Sequence, residues 1–245
     1  FTKIHSVDLP QSERATNPSG EVALASNTWP LLRGVYKDGQ INTGRVQGIV
    51  YDVAFGAGDG ALAEGLSGST TAASTAPGAP DLLERDLLRI RPDVVISMGF
   101  APDASFRLEQ DAYDEDEAVA DNRGFRPTQG RREFPGDPLV LHTSLPFKAI
   151  ERGWSSMGIK YRESRNAGRY VCNDVFYRLM RVANGGRSNG TRILKAGFIH
   201  VPDPNLVDQR TVNDAIKCAV ERTLSDIDPA TYEDVPATTT LLRHG

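Results

Sequence analysis

Cys172 is one of only two cysteines in 245 residues. It stands in NAGRYVCNDVFYRLM (166–180), between a glycine-bearing turn and an apolar run of helical spacing. Thiol chemistry needs the thiolate. A helix N-terminus favours it, because its unpaired N–H groups and aligned peptide dipoles stabilise negative charge. Cys172 has that place if the helix starts around Asn173, and the same N–H groups could hold the oxyanion of an attacked carbonyl. The matching base is a histidine, whose ordinary pKa lies near the working pH. Four are available, His5, His142, His200 and His244. His5 and His244 lie near the termini, and His142 lies within an apolar strand. His200 ends the strand that follows the Cys172 helix. That puts it at the C-terminal edge of a parallel sheet, where helix N-termini also gather and ligands bind. A carboxylate should orient the imidazole. Glu109, following strand 94–100 at the same edge, can supply it.

Each of these residues also has a purely structural reading. A lone cysteine in an α/β protein is usually a small buried hydrophobe, and Cys218, mid-helix between Ile216 and Val220, reads that way. A histidine at a strand end is commonly structural or solvated. Glu109 stands in LEQDAYDEDEAVAD (108–121) among other carboxylates, and an acidic run is usually a solvated face. No His/Cys set accompanies it to make a metal site. Spacing alone leaves cysteine catalysis and a structural cysteine both open.

The elements that must position these residues can be read from periodicity. Asn17-Pro18-Ser19 offers a cap for a helix beginning near Glu21 and stopping before Pro30. RVQGIVYDVAF (45–55) reads as a strand. Residues 56–80, rich in Gly, Ala, Ser and Thr, read as a surface segment and not as a phosphate loop. In PDLLERDLLRIRPDVVISMGF (80–100), Leu82, Leu83, Leu87 and Leu88 mark a helix closed by Pro92, and VVISMGF is a buried strand. A helix joined by a short turn to a continuous apolar strand signals a parallel sheet covered on both faces. Further on, a strand is expected within 137–146, a helix in PFKAIERGW, a strand in IKYRESRNAG, and then the Cys172 helix, ending at Asn184-Gly185-Gly186. TRILKAGFIHVP (191–202) is a strand and QRTVNDAIKCAVERTLSDI (209–227) an amphipathic helix. This alternation predicts one α/β domain over residues 1–245, an α/β/α sandwich on a mostly parallel twisted sheet.

Composition bounds the function. With 39% hydrophobic and 24% charged residues a core can form. A net charge of −4 without a clustered basic face speaks against nucleic acid. No apolar stretch approaches the ~20 residues of a bilayer span, and FTKIHSVDLP has no apolar signal core. Two cysteines make no disulfide framework, so a reduced, cytoplasmic protein is expected.

Six segments carry a family resemblance. NAGRYVCNDVFY (166–177) is similar to a signature around a nucleophilic cysteine. GFIHVP (197–202) looks like a segment bearing the partner histidine, and LEQDA (108–112) falls where the glutamate would stand. RPDVVISMGF (91–100), HTSLPFKAI (142–150) and NPSGEVA (17–23) match in the same order. Together they resemble pyroglutamyl peptidase I, the pyrrolidone-carboxylate peptidases, a family of cysteine peptidases. The resemblance implies an α/β/α fold and a Cys172-His200-Glu109 triad. It further implies release of an N-terminal pyroglutamyl residue through a thioester, with no metal or organic cofactor. The partner is then a peptide with a blocked N-terminus, and Phe1, Asn17, Phe100 and Val171 take substrate-binding roles. It allows a monomer, dimer or tetramer.

The chain departs from the family pattern in three places. Phe100-Ala101-Pro102-Asp103 stands where a Gln and two glycines usually follow the strand. Gln110 replaces an Arg after the glutamate, so a cation would come from elsewhere, such as Arg107. The chain begins at Phe1, which looks like the last Phe of a Gly-Phe-x-Pro-Phe loop, so the strand before that loop is expected to be missing. An amidase of different N-terminal specificity and a non-catalytic binding protein on the same fold are the alternative readings.

Overall fold

A computed structural model describes residues 18–35, 41–51, 53–55, 77–185 and 193–228. The element order begins α1 (Pro18–Ser26), β1 (Leu32–Val35), β2 (Ile41–Gly44), α2 (Ala79–Ile90), β3 (Val94–Phe100), β4 (Phe106–Glu109) and β5 (Asp111–Tyr113). It continues with β6 (Val140–His142), α3 (Phe147–Ser156), β7 (Tyr161–Ser164), α4 (Val171–Gly185), β8 (Lys195–Val201) and α5 (Gln209–Leu224). The central sheet has the order β3-β8-β4-β7. β3 lies parallel to β8 and β4 parallel to β7, while β4 meets β8 antiparallel. The sheet is thus mostly parallel, as its sequence predicts, with one reversed join at its centre.

Side chains alternate across a strand, so each strand feeds two layers. Ile96, Met98, Ile199 and Val201 pack with Val22 of α1, Trp154 of α3 and Ile216 of α5. Val95, Ala196 and Phe198 pack with Leu83 and Leu87 of α2 and with Val175 and Phe176 of α4. The result is α/β/α. Trp154 is completely buried and keeps its indole N–H satisfied on the Ala215 carbonyl at 2.8 Å. α2 starts with Asp81 accepting from the Gly78 N–H at 3.0 Å. It ends where Arg91 turns left-handed, φ 52, just before Pro92.

Several expectations need correction. α1 starts at Pro18, so Ser19 lies inside the helix and not at its cap; proline's fixed φ suits a first helical turn. Residues 45–50 form no ladder despite their β-branched composition. Asn27 instead holds Gly48 by both main-chain groups, at 2.9 and 3.0 Å. The antiparallel pair β1–β2 was not legible, because LRGV and INTG do not alternate. The acidic run is no solvated face: Asp111, Asp114, Asp116 and Asp121 are all buried. Asp114 accepts from the N–H groups of Glu133 and Phe134, at 2.7 and 3.1 Å, and from Arg132 Nε at 3.1 Å. Residues 56–76 lie outside those described.

Arg178 fastens the segment after β5 to the α2–α4 layer. Arg178 of α4 is buried and bonds Asp81 of α2 at 2.8 Å, Asp174 at 3.1 Å, and Glu133. Removing the guanidinium strands three carboxylates in low dielectric. Arg178→Met should therefore lower the unfolding free energy by about 3–5 kcal/mol. Urea unfolding followed by circular dichroism checks this, the midpoint falling while the slope is kept.

Candidate active site

Strand register builds the site. Gly99 of β3, His200 of β8 and Arg107 of β4 share one row across the sheet. Because β4 runs antiparallel, Glu109 lies opposite Phe198, on the same face as His200 and diagonal to it. That diagonal puts Glu109 Oε1 2.8 Å from His200 Nδ1. Both groups are buried, and Glu109 is 0% exposed. Its other oxygen, Oε2, is buried without a hydrogen-bond partner, so the carboxylate leans on the imidazole alone. Glu109 does follow β3 in sequence, but on a strand of its own, β4.

α4 brings the thiol. The helix begins at Val171, so Cys172 sits in its first turn, half-buried and reachable. It comes down onto Gly99. A Cβ at Gly99 would stand 2.7 Å from Cys172 Sγ, 2.9 Å from Phe198 Cζ and 3.3 Å from His200 Cδ2. The missing side chain is therefore the seat of the thiol. A glycine breaking an apolar strand run is a sequence sign of close approach, and it could have been read here. Burial, the largest influence on His200, would lower its pKa, but hydrogen bonds with Cys172 and Glu109 together overcome it and push it up to about 9. The imidazolium is the form that this environment favours.

The first-turn amides are partly committed. The N–H groups of Asn173 and Asp174 both donate to the Tyr170 carbonyl, at 2.8 and 3.2 Å. These two therefore do not form the oxyanion site that the helix start suggested. An aromatic wall flanks the thiol instead. Tyr170 meets Phe55 edge-on at 5.5 Å, and Phe55 meets Phe125 at 6.2 Å. Asp121 orders the wall by accepting from the N–H groups of Phe55 and Phe125, at 3.0 and 2.9 Å. Burial, then the charges of Asp121, Cys172 and Glu117, push the Tyr170 phenol up to about 12, so it stays neutral.

Of the other candidates, Phe100 is 39% exposed at the end of β3, whereas Val171 is packed completely into the α4 core. Phe1, Asn17, His5 and His244 lie outside the described residues. His142 is exposed and pairs with Asp111 at 2.8 Å. An apolar trough of about 440 Å³ beside β3, lined by Val22, Trp29, Ile49, Tyr51 and Ile216, includes none of the three candidate catalytic residues.

The sequence profile of the pyroglutamyl peptidase family matches residues 69–228. A pyrrolidone-carboxylate peptidase of Gloeobacter violaceus is 38% identical over 143 residues, 56% of this chain and 67% of that protein. Pyrrolidone-carboxylate peptidase 1 of Ralstonia nicotianae is 38% identical over 124 residues, 49% of this chain and 55% of its own length. A mutant pyrrolidone carboxyl peptidase from Pyrococcus furiosus superposes with a TM-score of 0.65 at 26% identity, covering 86% of this chain and 92% of that one. The enzyme from Thermococcus litoralis gives 0.64 at 25% identity, covering 85% and 86%.

The chain belongs to the pyroglutamyl peptidase family.

Among the described residues of this family member no helix is long and apolar enough to cross a membrane. One of its departures from the family pattern, Gln110 after the glutamate, has a structural answer. Gln110 points away from Glu109, bonding Glu163 and accepting from Arg165 Nε at 2.9 Å. Arg107 does not replace the lost cation, because Asp103 holds it at 2.6 and 2.9 Å. The two thiols also differ. Cys218 is buried against Gly153, and burial pushes its thiol up despite a bond to Arg222. Iodoacetamide at neutral pH should therefore label Cys172 and spare Cys218, read by peptide mass. Gly99→Ala should displace the thiol and slow that labelling by about 100-fold, with the circular dichroism spectrum unchanged.

Proposed function

We propose that the protein is a cysteine exopeptidase that removes an N-terminal pyroglutamyl residue from peptides, with Cys172, His200 and Glu109 as its triad. The observation that carries this reading is the convergence of the Cys172 thiol and the buried His200–Glu109 pair around Gly99. Family membership supports the reaction class. The half-buried rings of Tyr170 and Phe125, backed by the buried Phe55, suit a flat, uncharged lactam.

The steps follow from the geometry. Glu109 accepts the Nδ1 proton of His200 and leaves Nε2 to face the thiol. Cys172, as thiolate, attacks the acyl carbon of the pyroglutamyl residue. The carbonyl π bond opens to an oxyanion and re-forms as the C–N bond breaks. His200 gives its proton to the departing amine, and a thioester remains. Water then attacks the thioester, His200 takes its proton, and pyroglutamate leaves with Cys172 restored. A chemistry that depends on a free thiol suits a reducing compartment such as the cytoplasm.

The pH dependence has a defined sign. The folded pKa of His200 is raised above its usual 6.5 to about 9, so the imidazolium persists through neutrality and is lost as pH climbs past 9. kcat/KM should hold a plateau through pH 8 and fall above about 9, as a rate profile on a pyroglutamyl-coumarin amide would record. The same assay, run beside prolyl and alanyl analogues, tests specificity at the exposed Phe100. Cys172→Ala and His200→Ala should each abolish iodoacetamide-sensitive release, while Glu109→Gln should keep partial activity. Full turnover in Cys172→Ala would overturn the mechanism.

A further inference from the structure

Asn173 follows Cys172 in sequence, and its side-chain amide bonds the main chain of a distant segment. The side chain is fully buried. Its Oδ1 accepts from the Tyr113 N–H at 2.9 Å, and its Nδ2 donates to the carbonyls of Tyr113 at 2.7 Å and Glu115 at 3.2 Å. The amide thus pairs with both main-chain groups of Tyr113, as a neighbouring strand would. On the other flank of Cys172, Arg169 lays its guanidinium 3.7 Å from the centroid of the Tyr113 ring. Its Nε donates to Glu115 Oε2 at 3.2 Å, and its carbonyl accepts from the Glu117 N–H at 2.9 Å. Both sides of the nucleophile therefore grip the same stretch, 113–117.

That stretch leads straight back to Glu109. Only Gln110 separates β4 from β5. Gln110 is itself fixed, its N–H on the Ser164 carbonyl at 2.6 Å and its carbonyl on the Thr143 N–H at 2.9 Å. A continuous hydrogen-bonded path thus joins the carboxylate's strand to the nucleophile's turn without passing through His200.

We propose that Asn173 is a positioning residue for Cys172, setting the nucleophile turn against the strand that carries Glu109 and so fixing the thiol's distance from His200. The inference rests on the cysteine peptidase reading of the site. A chemical step is sensitive to about 1 Å of misplacement, which can cost ~100-fold. Bulk substrate binding is not, so the effect belongs in kcat.

The test compares wild type with Asn173→Ala and Asn173→Asp. Each is measured for circular dichroism, thermal midpoint, kcat and KM on the pyroglutamyl-coumarin amide, and iodoacetamide alkylation rate against pH. Asn173→Ala should lose about 100-fold in kcat with KM within about threefold. Its alkylation profile should shift toward that of an ordinary thiol, near pH ~8.5. Asn173→Asp keeps the acceptor for the Tyr113 N–H but cannot donate to the two carbonyls, so it should fall between. A folded Asn173→Ala with wild-type kcat and alkylation profile, or a loss confined to KM or to the thermal midpoint, overturns the proposal. If Asn173→Ala does not fold, Asn173→Asp decides by the same two readouts. If wild type cleaves no pyroglutamyl amide, the substrate assignment fails, while a shifted alkylation profile in the variants still supports the positioning role.

Discussion

A buried carboxylate with a single partner is costly inside a protein. Glu109 is in that position, fully buried, with one oxygen on His200 and the other unpaired. The imidazole beside it answers this, because Glu109 and Cys172 both favour its charged form. Removing any member of this set leaves the others badly solvated. The surrounding architecture is arranged to keep the three together. The antiparallel join of β4 with β8 supplies the diagonal, the parallel join of β3 with β8 supplies the glycine, and α4 lowers the thiol into the gap.

The same economy explains the acidic run. A stretch with this many carboxylates would be expected in solvent. Here the aspartates replace secondary structure as the organiser of a long connection. Asp114 gathers Arg132, Glu133 and Phe134, and Asp121 gathers Phe55, Arg123 and Phe125. A carboxylate that accepts two or three N–H groups satisfies buried backbone donors that have no strand neighbour. Arg178 then docks this connection on the helices through Asp81, Asp174 and Glu133. What composition presents as a charged surface is the internal framework of the wall beside the thiol.

Much of this was legible in the sequence. The α2–β3 unit, α3 to β7, and the α4–β8–α5 succession all carry strong periodicity, and they stand where they were expected. That Cys172 and His200 could meet was legible because a parallel sheet brings helix starts and strand ends to one edge. Glu109 was named on family resemblance and on a simpler topology than the true one; nothing in FRLEQDAY announces a strand that runs antiparallel to β8 and parallel to β7. β-branched residues at 45–50 met no pairing partner, so their propensity found no ladder. Asn173 was invisible for a related reason. Its bonds reach residues 60 positions away, and no local pattern encodes a contact of that separation.

The mixed sheet ties these observations together. A wholly parallel sheet would present strand ends and helix starts at the site, and a carboxylate could arrive only from a loop. Loops position side chains less firmly than strands do. Reversing β4 sets Arg107 opposite His200 and carries Glu109 two residues further, where its side chain reaches the imidazole while the strand is still paired with β7 and β8. The chain then continues into β5 and meets Asn173 and Arg169 within a few residues. One strand direction therefore does two jobs, delivering Glu109 to His200 and bringing the following segment back to Cys172. A substitution that loosened β4 would disturb both at once, whereas one confined to the β1–β2 pair should leave the thiol and imidazole where they are.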